Sequence, residues 1–106
     1  MSITGAQEVL TAATTTATSG WAHINSFAAV MQAWLADTVT PAATLIVEGS
    51  SGDVPTHPVA MATVELSGAL NANAYAFSTG FYWVRVRISA ISGVAAAVTA
   101  NIRGYN

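Results

Sequence analysis

The stretch that most constrains what this chain can fold into is Phe81 to Gly104, FYWVRVRISAISGVAAAVTANIRG. Tyr82, Val84, Val86 and Ile88 fall on one side of an alternating pattern, and Phe81, Trp83, Arg85, Arg87 and Ser89 on the other. That is the period of two of a pleated strand. The β-branched and aromatic content suits the same conformation. Ala90-Ile91-Ser92-Gly93 follows as a break, with a glycine where the chain can reverse. Beyond it, Val94, Ala96, Val98, Ala100 and Ile102 alternate with Ala95, Ala97, Thr99, Asn101 and Arg103. The pattern predicts two long strands folded back on each other as a hairpin, central to the fold. With one apolar face and one mixed face, such a hairpin has to lie on something apolar.

The rest of the chain reads as short extended segments. Gln7 to Ala12 alternates weakly, and the threonine-rich Ala13 to Ser19 suits an edge strand or an extended loop. Trp21 to Ala36 supports two readings. Ile24, Phe27, Ala28, Met31, Trp34 and Leu35 fit a helical stripe. Phe27, Ala29, Met31, Ala33 and Leu35 equally form one face of a strand, which the strand-like remainder of the chain favours. Asp37 to Pro41 reads as a turn. Ala43 to Glu48 reads as a strand with Leu45 and Val47 opposed to Thr44, Ile46 and Glu48, and GSSGD (Gly49 to Asp53) as a turn. Pro55 and Pro58 bracket an extended loop, and Val59 to Leu66 and Asn71 to Phe77 are further strands. Turns at this spacing are the signature of an antiparallel sandwich or barrel, and the expected fold is an all-β, single-domain antiparallel β-sandwich of two sheets. Residues 1–19 are expected as an N-terminal arm or first edge strand, and residues 20–106 as the sandwich.

Composition narrows the function classes. Only 8% of the 106 residues are charged, against roughly 25% in an ordinary soluble domain. There is no lysine, and the cations are Arg85, Arg87 and Arg103. Such a surface is carried by hydroxyls and amides, or is covered by partner subunits, since obligate interfaces are depleted in Lys, Glu and Asp. A net charge of −2 argues against nucleic acid as the main ligand. No cysteine is present for a disulfide or a thiolate metal site. The first ten residues lack the basic and apolar regions of a signal peptide. No run approaches the roughly 18 apolar residues of a membrane helix.

No catalytic motif stands out. His23 and His57, even with Glu48 and Asp53, match no metal-ligand spacing. The serines lie in turns and hydroxyl-rich stretches without a G-x-S-x-G elbow. Glu48 and Glu65 alternate with apolar residues as on any half-exposed strand. Neither an enzyme nor a cofactor or metal site is expected. The aromatics carry more weight. Trp83 beside Arg85 and Arg87 matches the residue types enriched at interface hot spots. The bland alternative packs Trp83 inward, with the arginine stems along it. Both arginines are expected to pair with carboxylates, in their own chain or across a subunit boundary.

Tyr82 to Gly93, YWVRVRISAISG, resembles small virion proteins of tailed bacteriophages. The shared pattern is a strand with an aromatic and then V-R, a hydroxyl-bearing turn closing on Gly, and a Val/Ala/Thr strand. Upstream, Val47-Glu48-Gly49-Ser50-Ser51-Gly52-Asp53 matches a strand ending in V-x-G-S and a small Asp/Gly turn, here with Gly before Asp. The likeness spans Leu45 to Gly104. It implies a jelly-roll-like sandwich and a capsid decoration or cement protein on the virion surface, stapling joints between major capsid subunits. Its partners would be further copies of itself and the capsid lattice, with no nucleic acid and no membrane. Trp83, Arg85 and Arg87 are the expected contact residues, followed by the N-terminal arm. A carbohydrate- or receptor-binding module of a phage tail or fibre would use the same aromatics against a glycan.

Overall fold

A computed structural model describes residues 7–24, 28–36, 42–78, 83–93 and 96–105. Among these there are nine strands and no helix: β1 (Gln7–Ala13), β2 (Ala17–Thr18), β3 (Ala22–His23), β4 (Ala28–Ala36), β5 (Ala42–Ser50), β6 (Val59–Ser67), β7 (Ala72–Ser78), β8 (Trp83–Ser92) and β9 (Ala97–Tyr105). They form two antiparallel sheets. The first has the order β1-β9-β4-β7. The second has the order β2-β8-β5-β6, with β3 also paired to β8.

β2 and β3 are one strand interrupted by a serine. Ser19 donates its backbone N–H to the Val86 carbonyl at 2.9 Å, and its Oγ accepts the Val86 N–H at 2.9 Å. The hydroxyl thus stands in for a strand carbonyl between the two short pairings, Ala17 with Ile88 and Ala22 with Val84. With β2 and β3 counted together, the chain changes sheet at every connection except β5 to β6. That path is a jelly roll, two interlocked Greek keys; the strand spacing pointed to a sandwich or barrel, and the resemblance to the jelly roll.

One sequence expectation fails. β8 and β9 do not pair as a hairpin: β8 lies between β2/β3 and β5, and β9 between β1 and β4. The alternating pattern asks each strand for one covered face. Two strands facing each other from opposite sheets meet that demand as well as two lying side by side. Here Val84, Val86 and Ile88 come from one sheet, and Val98, Ala100 and Ile102 from the other. The chain arches between sheets at Gly93, whose φ of 114° suits glycine and strains a residue bearing a Cβ. The break is also shorter than expected, because Ala90, Ile91 and Ser92 still pair with β5. Gly49 and Ser50, expected in a turn, are likewise the last two residues of β5.

Between Trp21 and Ala36 the described residues are extended, with Ala29, Met31, Ala33 and Leu35 buried along one face of β4. The helical stripe loses because β4 has a strand neighbour on each side, β7 and β9, in unbroken register. Phe27, Phe81, Tyr82 and the turn expected at 37–41 lie outside the described residues. Within residues 7–18, β1 pairs with β9 in one sheet and β2 with β8 in the other.

The core is the layer between the sheets. Met31, Leu45, Ile88, Ile102, Val47, Val84, Val86 and Val98 are its fully buried side chains. Each contributes about 1.5–3 kcal/mol relative to exposure. In β6 the alternation slips at Met61, an extra residue opposite Val47 and Glu48. The bulge leaves Val59 and Ala60 exposed, while Val64 and Leu66 stay in the core. Burial of the inner face forces the outward residues of β5 and β8 onto a single surface, where the candidate site lies.

Candidate functional site

The alternation that buries Val84 and Val86 turns Trp83, Arg85 and Arg87 outward on β8. Register with β5 sets Glu48 opposite Arg85, Ile46 opposite Arg87 and Ser50 opposite Trp83. On the other side of β8, β3 sets His23 opposite Trp83. The three residues expected at an interface therefore share the outer face of the second sheet, in one row.

Glu48 is the electrostatic centre of that row. Its Oε1 accepts from Arg85 Nε at 2.8 Å, and its Oε2 lies 3.5 Å from Arg87 Nε. The carboxylate is buried although it sits on the outer face, because two guanidinium groups cover it. An acidic side chain can stay charged in such a place only when paired and hydrogen-bonded. The Arg85 guanidinium also lies 4.5 Å from the centroid of the Trp21 ring, a cation–π contact. Both contacts to Glu48 run through Nε, so among the described residues the terminal nitrogens of each guanidinium remain for another acceptor.

Trp83 is locked from two directions. Its Nε1–H donates to the Gly52 carbonyl at 3.1 Å, and the His23 ring packs against it at a centroid distance of 4.8 Å. The loop that receives the indole is itself pinned. Buried Ser50 donates its Oγ–H to the Thr56 carbonyl at 2.7 Å and accepts the Thr56 N–H at 3.1 Å. At Gly52 a Cβ would stand 2.9 Å from the Val54 carbonyl oxygen, so the tight turn excludes any side chain there. Val54, in the same loop, is 66% exposed. At the other end of the row, Thr16, Thr18 and Ser89 flank Arg87 in a shallow open depression.

This arrangement offers a rigid surface of indole, valine and guanidinium groups, with a net charge of +1 from Arg85, Arg87 and Glu48. Among the described residues, no three His, Asp or Glu side chains converge in a way that could hold a metal ion. His23 is engaged with Trp83, and His57 lies in the 51–58 loop at a φ of 50°. No helix among the described residues is long and apolar enough to cross a membrane.

Sequence reasoning missed four contributors. Trp21 was legible only as one more aromatic, because its contact with Arg85 depends on β3 pairing with β8. Ser50 and Gly52 were legible only as turn formers, and Ser19 only as the end of a hydroxyl-rich edge strand or extended loop, because the partners of Ser19 and Gly52 lie on β8 and that of Ser50 on the following loop. No protein family, curated protein or solved structure matches this chain.

Proposed function

We propose that the protein is a non-enzymatic structural protein of a phage virion. In this reading it is a capsid decoration or cement subunit that seats the outer face of its second sheet on a lattice of major capsid protein. The observation that carries the reading is the pre-ordered row Trp83–Arg85–Glu48–Arg87. Its side chains are fixed before any partner arrives, yet guanidinium nitrogens and the apolar Val54 remain exposed beside it. Ordered side chains lose little entropy on docking, and Trp and Arg are the side chains that carry most binding energy at interfaces. The complementary surface is rich in carbonyl and carboxylate acceptors around an apolar contact, the chemistry of a folded protein. A chain with so few charges suits a role in which much of its surface has neighbours. The jelly roll itself recurs in viral capsid and lectin domains, which supports the reading by fold analogy alone.

The runner-up, a glycan-binding module, needs an aromatic ring with an open face for a sugar. Trp21 gives one face to Arg85, and Trp83 gives contact to His23. The two readings separate on purified particles. A cement subunit is present in many copies, rebinds stripped heads and ignores glycans. Low copy number, with glycan binding lost in Trp83→Ala, would replace it with the receptor module.

A further inference from the structure

Each of the two sheets ends in two edge strands, and the edges are not alike. At one edge of the first sheet, β1 slips register twice against β9, and Ala12 takes a φ of 45°. β1 also carries the exposed Glu8. In the second sheet, β2 and β3 are two residues each. β6 has its bulge at Met61, Pro58 at its entry and the exposed Glu65. Bulges, charges, short length and prolines are the devices that keep an edge from pairing with another chain. β7, at the remaining edge, has none of them. Residues 72–78 are ANAYAFS, uncharged and without proline, in unbroken register with β4.

The direction of its backbone groups follows from one hydrogen bond. The Asn71 carbonyl accepts from Leu35 N–H of β4 at 2.8 Å. A strand residue aims its N–H and C=O to the same side and its neighbours to the other. Asn71, Asn73, Tyr75 and Phe77 therefore face β4, and Ala72, Ala74 and Ala76 present their backbone groups to the open edge. One of these donors is held locally, since Ala74 N–H bonds Asn73 Oδ1 at 2.9 Å. Among the described residues nothing pairs with the outer side of β7.

We infer that β7 is the self-association edge of the protein, pairing antiparallel with β7 of a second copy about a two-fold axis. Unpaired N–H and C=O groups in a regular row call for an extended strand. A second copy fits because β7 brings no charge to the axis, and its exposed outward side chains Ala72, Ala74 and Ala76 are too small to hold two strands apart. The contact is isologous and closes at two copies, joining two four-stranded sheets into one. Asn73 must release Ala74 N–H for the central bonds to form. This deepens the self-association expected of a lattice protein, and it leaves the outer face of the second sheet uncovered.

The test is native mass by light scattering and sedimentation on the full chain over a concentration series, together with backbone amide exchange. The wild type is expected at twice its 10.8 kDa chain mass, with slowed exchange at Ala72 and Ala76. Ala76→Pro removes an outward N–H that has no partner among the described residues, and Ala74→Lys sets like charges near the axis. Each is expected to weaken the dimer by about tenfold or more, while Thr63→Lys on the β6 edge leaves it intact. The lysine variant carries the test should the proline variant not fold. A wild type that stays monomeric, a trimer, or a dimer that survives Ala74→Lys overturns the inference. Binding to capsid particles is a separate readout: a dimer that ignores particles sinks the cement reading and spares this one.

Discussion

The two outer faces of the sandwich are built on the same pleat from opposite chemistry. On the second sheet, Trp83, Arg85 and Arg87 stand across from Ser50, Glu48 and Ile46, and Glu48, Ser50, both arginine Nε atoms and the Trp83 Nε1 each have a partner. On the first sheet, Val30, Gln32 and Trp34 stand between Arg103, Asn101 and Thr99 on one side and Ala76, Ala74 and Ala72 on the other. There the one buried side-chain acceptor without a partner, among the described residues, is Asn101 Oδ1. The inner faces are equivalent in kind, so the core does not distinguish the sheets. The lesson is that the fold's stability and the proposed docking surface are written in alternate residues of the same strands. β5 carries Leu45 and Val47 for the core, and Ile46 and Glu48 for the surface.

The largest test of this contrast removes the centre of the network. Glu48→Ala leaves two arginines side by side without their shared carboxylate. Because both guanidinium groups are partly exposed, the cost falls below that of a fully buried pair, at about 1–3 kcal/mol. The matching truncation on the first sheet, Gln32→Ala at an exposed position, is expected within about 0.5 kcal/mol. Urea unfolding of both variants checks the pair, and equal losses would erase the distinction between the faces.

Ser19→Ala probes the edge that supports β8 from behind. The Val86 N–H, buried in the ladder, loses the hydroxyl that accepts it. A cost of about 1–3 kcal/mol is expected by urea unfolding, with faster amide exchange at Val86. A neutral result would mean that the chain carries the pairing through Ser19 without its side chain.

Gly52→Ala tests the pinned loop. The new methyl group meets the Val54 carbonyl at 2.9 Å, so the loop must shift and the Trp83 indole must lose its acceptor. The expected stability loss is about 1 kcal/mol, accompanied by a change in Trp fluorescence. Ser51→Ala, one residue earlier and exposed, is the control expected to change neither.

The smallest effect belongs to the first sheet. Asn101→Thr removes the unpartnered acceptor and puts a β-branched residue in a central strand. It is expected to be neutral or slightly stabilising, within about 0.5 kcal/mol. A loss well beyond that would mean that Asn101 is held by a partner on this face.

Much of this architecture was legible in the chain. Alternation assigned the inward set Val84, Val86 and Ile88 and the outward set Trp83, Arg85 and Arg87, because a pleat leaves no other choice once one face is buried. What alternation does not carry is the identity of the neighbour. It gave β8 and β9 one covered face each, and a hairpin and an arch satisfy that equally. The choice rests on the Gly93 conformation and on which strands β8 and β9 pair with. Glu48 shows the same limit. Its place on the outer face was readable, whereas its burial depends on two arginines from a strand 37 residues away. Ser19 and Ser50 were unreadable for a related reason: a serine in a turn or a hydroxyl-rich stretch and a serine that ties two segments together look alike until the partner is known.

The most direct test of the central claim is rebinding to capsid particles stripped of this chain, comparing two doubly substituted proteins. One carries Trp83→Ala with Arg87→Glu on the second sheet, and the other Gln32→Glu with Arg103→Glu on the first. Loss of binding in the first protein alone, with both folded by circular dichroism, is the predicted result. Loss in the second alone would move the binding surface to the opposite face and contradict the account.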